Sequence, residues 1–146
     1  LTAGEYRSYF KIIGQPQNPS DESDEGLGLN ARLAHNLPII VRHGNTNAHS
    51  TITSPSLITG QQGQPVLVFL QTLTGNRSVF GHYQVLDDDN NIIGELNNAA
   101  IYLPLSQRHV RIQLNGFNKE NGPLKVVYKE DSLYGGSIAI EKIIKI

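Results

Sequence analysis

Residues 26–44 read GLGLNARLAHNLPIIVRHG. In the first half, Leu27, Leu29, Ala31 and Leu33 alternate with Gly28, Asn30, Arg32 and Ala34. Successive side chains on a strand point to opposite faces, so this pattern predicts a strand with one apolar face and one small or polar face. The comb runs into Leu37-Pro38-Ile39-Ile40-Val41, a buried-strand run, and then into Arg42. Alternation alone suits an ordinary sandwich strand. A strand that begins as a comb and ends as core also suits one that lends its free half to another chain. Pro38 has no N–H to give a ladder, which fits an edge strand or one that changes partners.

The rest of the chain reads as strands. Glycine and proline recur throughout, β-branched residues are dense, and short apolar runs are separated by turn signals. Tyr6–Ile13 is one strand, followed by a polar, acidic loop over residues 14–26 with two prolines. Thr51–Ile58 contains Pro55 and reads as an edge strand. Pro65–Leu73 and Ser78–Leu86 follow, then the Asp87–Asn91 hairpin loop, Ile92–Leu96, Ala100–Leu103, His109–Leu114, Leu124–Lys129 and Ser137–Ile146. About seven or eight strands from Thr51 onward match one sandwich domain of ~100 residues. The first two strands fall outside that set, and two strands alone are marginal in water. The expected fold is therefore all-β. Residues 45–146 form an immunoglobulin-like β-sandwich, and residues 1–44 hold the final two strands of a preceding, incomplete domain.

Composition narrows the function classes. The 146 residues carry a net charge of −1, without the basic excess that phosphate-backbone binding demands. Nucleic acid is therefore not an expected partner. No run approaches the ~18 apolar residues of a membrane helix, so membrane insertion is not expected. The absence of cysteine removes thiol catalysis, disulfides and cysteine-ligated metals. With no methionine in the chain, Leu1 is not expected to be a natural start.

No nucleophile elbow, HExxH pattern or paired carboxylates stand out. Catalysis, metal and cofactors are accordingly not expected. His43 and His49 lack an evident third ligand. The aspartates of residues 87–89 lack the glycine and distal glutamate of an EF-hand and read as a solvated turn. The acidic run at residues 21–25 reads as a solvated loop, and the Asn76-Arg77-Ser78 sequon as incidental.

The order GEYRSYFKI, acidic loop, comb strand, LPIIVRHG resembles the periplasmic pilus chaperones of the chaperone–usher pathway. Gly75-Asn76-Arg77-Ser78-Val79-Phe80-Gly81, Ala100-Ile101-Tyr102, Leu124-Lys125-Val126-Val127-Tyr128 and the tail YKEDSLYGG agree with it. The resemblance implies two immunoglobulin-like domains and a location in the periplasm of a Gram-negative bacterium. It also implies pilus subunits and an outer-membrane usher as partners, with fimbrial assembly by donor-strand complementation as the activity. It makes Leu27, Leu29, Ala31 and Leu33 the donor residues and pairs Arg42 with Asp131 between the domains.

Two positions depart from the family pattern. Pro38 stands where a carboxylate-binding lysine belongs, and Arg7 stands where a second junction acid is expected, with Glu5 close by. An exposed donor strand also offers a route to self-association. Two other classes stay open. A pilin or adhesin subunit would show a sandwich lacking a strand, and a carbohydrate-binding sandwich would show an exposed aromatic platform.

Overall fold

The structure is a computed structural model and describes residues 1–14, 32–118, 120 and 122–145. Its strands are β1 (Gly4–Ile13), β2 (Ala34–His43), β3 (Ala48–Thr59), β4 (Pro65–Gly75), β5 (Val79–Leu86), β6 (Ile92–Ile101), β7 (Gln107–Gln113), β8 (Leu124–Glu130) and β9 (Ala139–Ile144). A 3-10 turn, Ser132–Tyr134, joins the last two. All pairings are antiparallel. β3-β4-β7 form one sheet, β6-β5-β8-β9 a second, and β1-β2 a separate two-stranded ribbon. The chain is thus all-β, with antiparallel sheets packed on one another.

The core lies between the three- and four-stranded sheets. On β4, Leu67, Phe69 and Gln71 alternate inward; on β5, Val79, Tyr83 and Val85 do so. Leu67, Tyr83, Val126 and Tyr128 are fully buried. Phe69 meets Tyr83 edge-on across the two sheets at 5.2 Å. Burial pushes the Tyr128 phenol up to about 12 and the Tyr83 phenol higher still, so both stay neutral across the physiological range. Gly81 pairs with Glu130 of β8. A Cβ there would collide with the Lys129 carbonyl, so glycine is what permits this pairing.

Local sequence explains the irregularities. Pro55 falls in a register shift of edge strand β3, between Thr53 and Ser56, where its missing N–H costs no ladder bond. The hairpin at residues 87–91 is closed by Asp87, whose carboxylate accepts from the Asn91 backbone N–H at 2.8 Å and its side-chain amide at 3.1 Å. These bonds hold the Asp87 carboxyl below its usual range.

One expectation is corrected. Ile92–Leu96 and Ala100–Leu103 were expected as separate strands, but one strand, β6, runs from Ile92 to Ile101. Asn98 adopts φ 56°, a conformation asparagine tolerates, and the pairing with β5 shifts register there without a break. Of the strand expected over Leu27–His43, residues 27–31 lie outside the described residues, and the described part is a strand from Ala34.

Candidate binding surface and junction

The β1–β2 register fixes two faces. Tyr6, Ser8, Phe10 and Ile12 lie opposite Val41, Ile39, Leu37 and His35 on one. Glu5, Arg7, Tyr9 and Lys11 lie opposite Arg42, Ile40, Pro38 and Asn36 on the other. The first face bears six large apolar side chains, and none is buried: Tyr6 is 37% exposed, Phe10 57% and Val41 55%. The second face meets the sandwich at its Glu5–Arg42 end, while Tyr9, Lys11, Asn36 and Pro38 farther along it are exposed. Among the described residues β2 has β1 as its sole strand neighbour, so its other edge carries backbone groups outside any ladder.

Three donors meet the Glu5 carboxylate, whose side chain is 2% exposed. The Arg42 Nε donates at 3.1 Å and the Ser78 backbone N–H at 3.0 Å. The Ser78 hydroxyl also bonds to it and in turn accepts from the Leu103 N–H at 2.9 Å. Arg42 further donates to the Tyr134 carbonyl at 2.6 Å and the Ser78 carbonyl at 3.3 Å. One buried carboxylate and one guanidinium therefore tie both ribbon strands to β5 and the 3-10 turn. Charge-assisted bonds of this kind are the stronger class. Asn76 adds a second tie: its carbonyl accepts the Glu5 N–H at 2.9 Å, and its amide donates to the Ala3 and Asn45 carbonyls at 3.2 Å each.

The expected Arg42–Asp131 ion pair is not formed; the Arg42 pair is with Glu5. Asp131 instead caps the 3-10 turn, its carboxylate accepting from the Leu133 N–H at 2.8 Å. That turn presents the Tyr134 carbonyl to Arg42, so Asp131 acts on Arg42 at one remove. Of the proposed donor residues, Leu33 is 68% exposed, lies just outside the ladder, and accepts the Gly14 N–H on its carbonyl at 2.9 Å. Leu27, Leu29 and Ala31 lie outside the described residues.

A second buried pair escaped the sequence reading. Arg77 grips Glu130 with both terminal nitrogens, the Nη2–Oε2 bond measuring 3.1 Å. Glu130 also accepts the Ser137 and Ile138 N–H groups at 3.0 and 3.1 Å. Burial alone would raise the Glu130 carboxyl. The Arg77 hydrogen bond and charge and the two N–H groups outweigh burial, so it lies below its ordinary 4.5. The signal lay in the alternation of Leu124, Val126, Tyr128 and Glu130, which turns the acid inward on β8. An inward acid demands a cation.

Between ribbon and sandwich lies a concave pocket of about 600 Å³ lined by Pro38, Ile40, Arg42, Phe80, Tyr102 and Tyr134. Phe80 meets Tyr102 edge-on at 4.8 Å, and the Tyr134 ring lies tilted against it at 5.3 Å. The Arg7 guanidinium sits 4.1 Å from the centre of the Tyr102 ring, within cation–π range. Among the described residues no three His, Asp or Glu side chains gather as a metal site, and no helix is long and apolar enough to cross a membrane. No family model, curated protein or solved structure matches the chain.

Proposed function

We propose that this chain is the C-terminal part of a periplasmic pilus chaperone, which holds subunits by donor-strand complementation and passes them to an outer-membrane usher. It acts by binding and needs no cofactor. In this reading, residues 1–44 end a first immunoglobulin-like domain and residues 45–146 form the second. The β3-β4-β7 and β6-β5-β8-β9 orders, with seven strands around one core, support an immunoglobulin-like sandwich. The Arg42–Glu5 contact serves as the junction pair.

One observation carries the proposal. The ribbon is fixed to the sandwich through a buried carboxylate, yet among the described residues nothing covers its apolar face or pairs with the second edge of β2. A strand anchored at its Arg42 end with its edge open is suited to complete another protein's sheet. An incomplete subunit, with a bare cleft and edge of its own, needs such cover to escape aggregation. The pilin alternative expects a sandwich short of a strand. The seven sandwich strands among the described residues, the full set of such a domain, favour the chaperone reading over it.

The test is capture of a pilus subunit lacking its last strand, by the chaperone with its first domain complete. Replacing Leu29 and Leu33 with Glu puts charges where apolar pockets would close and should abolish capture. Undiminished capture by that double variant would refute the reading.

A further inference from the structure

We infer that a recess between β5, β6 and the 3-10 turn binds one neutral pyranose ring, the end of a saccharide chain. This function is separate from strand donation. The recess is lined on the sandwich by Phe80, His82, Asn97, Asn98, Asp131 and Tyr134, and among the described residues no part of the ribbon lines it.

The irregularity in β6 builds this recess. Gly81 pairs with Ala99 and Tyr83 with Leu96, so His82 alone faces two residues, Asn97 and Asn98. That is a β-bulge, whose extra residue interrupts the ladder and re-aims side chains. Ile93 and Gly94 are buried before it, Ala99 and Ile101 after it, and both asparagines between are exposed. Two consecutive amides therefore stand on the outer face beside His82. Unbroken alternation would have turned one of them into the core.

The lining groups match a sugar. An amide has two N–H donors and an acceptor oxygen, and a sugar hydroxyl both donates and accepts. Side-chain bonds on either side of the bulge join Gln84 to Glu95 and Arg108 to the Ala100 carbonyl. Among the described residues none uses the side chains of His82, Asn97 or Asn98. One carboxylate oxygen of Asp131 accepts the Leu133 N–H, and the other is a further acceptor. Tyr134 is 56% exposed and leans on Phe80, an aromatic body for the C–H side of a pyranose. A purely apolar ligand would strip water from these polar groups without replacing its bonds. No lysine or arginine lines the recess, and Asp131 opposes an anionic sugar. At about 240 Å³ the recess is smaller than the ~300 Å³ at which drug-sized sites begin, which suits one ring with the rest of the saccharide in solvent.

The test titrates the full chain, ¹⁵N-labelled, with both anomers of the methyl glycosides of glucose, galactose, mannose and N-acetylglucosamine, and with methyl glucuronide. At least one neutral glycoside should bind saturably, with shift changes centred on the Asn97 and Asn98 side-chain amides, His82 and Tyr134. Methyl glucuronide should bind more weakly than methyl glucoside. Position 98 has φ 56°, which glycine adopts freely, so Asn98→Gly keeps the bulge and removes only the amide. It should weaken binding about two- to tenfold, the worth of one hydrogen bond. Tyr134→Ala should weaken it at least about tenfold, and Tyr134→Phe should keep it.

No saturable shift from any neutral glycoside, shifts centred elsewhere, binding unchanged in Asn98→Gly and Tyr134→Ala, or tighter binding of the glucuronide would each overturn the inference. The titration of the unaltered chain needs no variant. The result is separable from subunit capture. Glycoside binding beside comb-independent capture upholds the recess and sinks the chaperone reading. Comb-dependent capture without glycoside binding does the reverse.

Discussion

The ribbon and the sandwich follow the same alternation and meet different fates. Val126 on β8 is fully buried, whereas Val41 on β2 is 55% exposed. Leu67 on β4 is fully buried, whereas Leu37 on β2 is 49% exposed. Alternation sorts side chains to faces, but burial requires a second layer opposite the face. The sandwich supplies that layer to itself. The ribbon meets the sandwich at the Glu5–Arg42 end of one face and, among the described residues, has nothing against the other.

The comparison breaks most visibly at the buried ion pairs. Arg77→Ala leaves Glu130 inside the sandwich without its cation and should cost roughly 3–5 kcal/mol, read as a fall in the urea midpoint. The same pair sets a pH dependence. The Glu130 carboxyl is depressed in the folded chain. Its contribution is therefore fully present above the ordinary value of 4.5 and is lost as pH falls through the depressed folded value. In Glu130→Gln that part of the acid-side loss should vanish. A midpoint unaltered by Arg77→Ala would show that the pair does not hold the sandwich.

Paired truncations sharpen the contrast. Leu67→Ala should cost roughly 2–5 kcal/mol, while Leu37→Ala, on the open face, should stay within about 0.5 kcal/mol. Equal losses in chemical unfolding would mean that the ribbon face is covered after all. A smaller, local effect is expected at the junction. Glu5→Gln removes the charge that Arg42 and Ser78 share. It should speed amide exchange in β1 and β2 while lowering the sandwich midpoint by no more than about 1.5–3 kcal/mol, the worth of a hydrogen bond to a charged group.

Most of the sandwich was legible because strand and turn signals are local. Pro65–Leu73 and His109–Leu114 read correctly to within two residues of β4 and β7. The β6 bulge was not, because a single asparagine at positive φ looks like a turn in sequence and becomes an irregularity only when β5 pairs through it. The junction was half legible. Arg42 stood out at the end of β2, and Glu5 was noticed as a nearby acid. Which acid it meets depends on register: Glu5 lies directly across from Arg42, while Asp131 is drawn into capping its own turn. The aromatic pocket left no sequence trace, since Phe80, Tyr102 and Tyr134 come from three separate segments.

The central claim is that β2 and the comb before it donate a strand. Hydrogen exchange on the chain, with and without a pilus subunit lacking its last strand, tests this directly. The account predicts new protection running from the residue 27–33 comb into β2, with β3, β6, β7 and β9, the edge strands of the sandwich, unchanged. Protection confined to those four strands, or appearing nowhere, would contradict it.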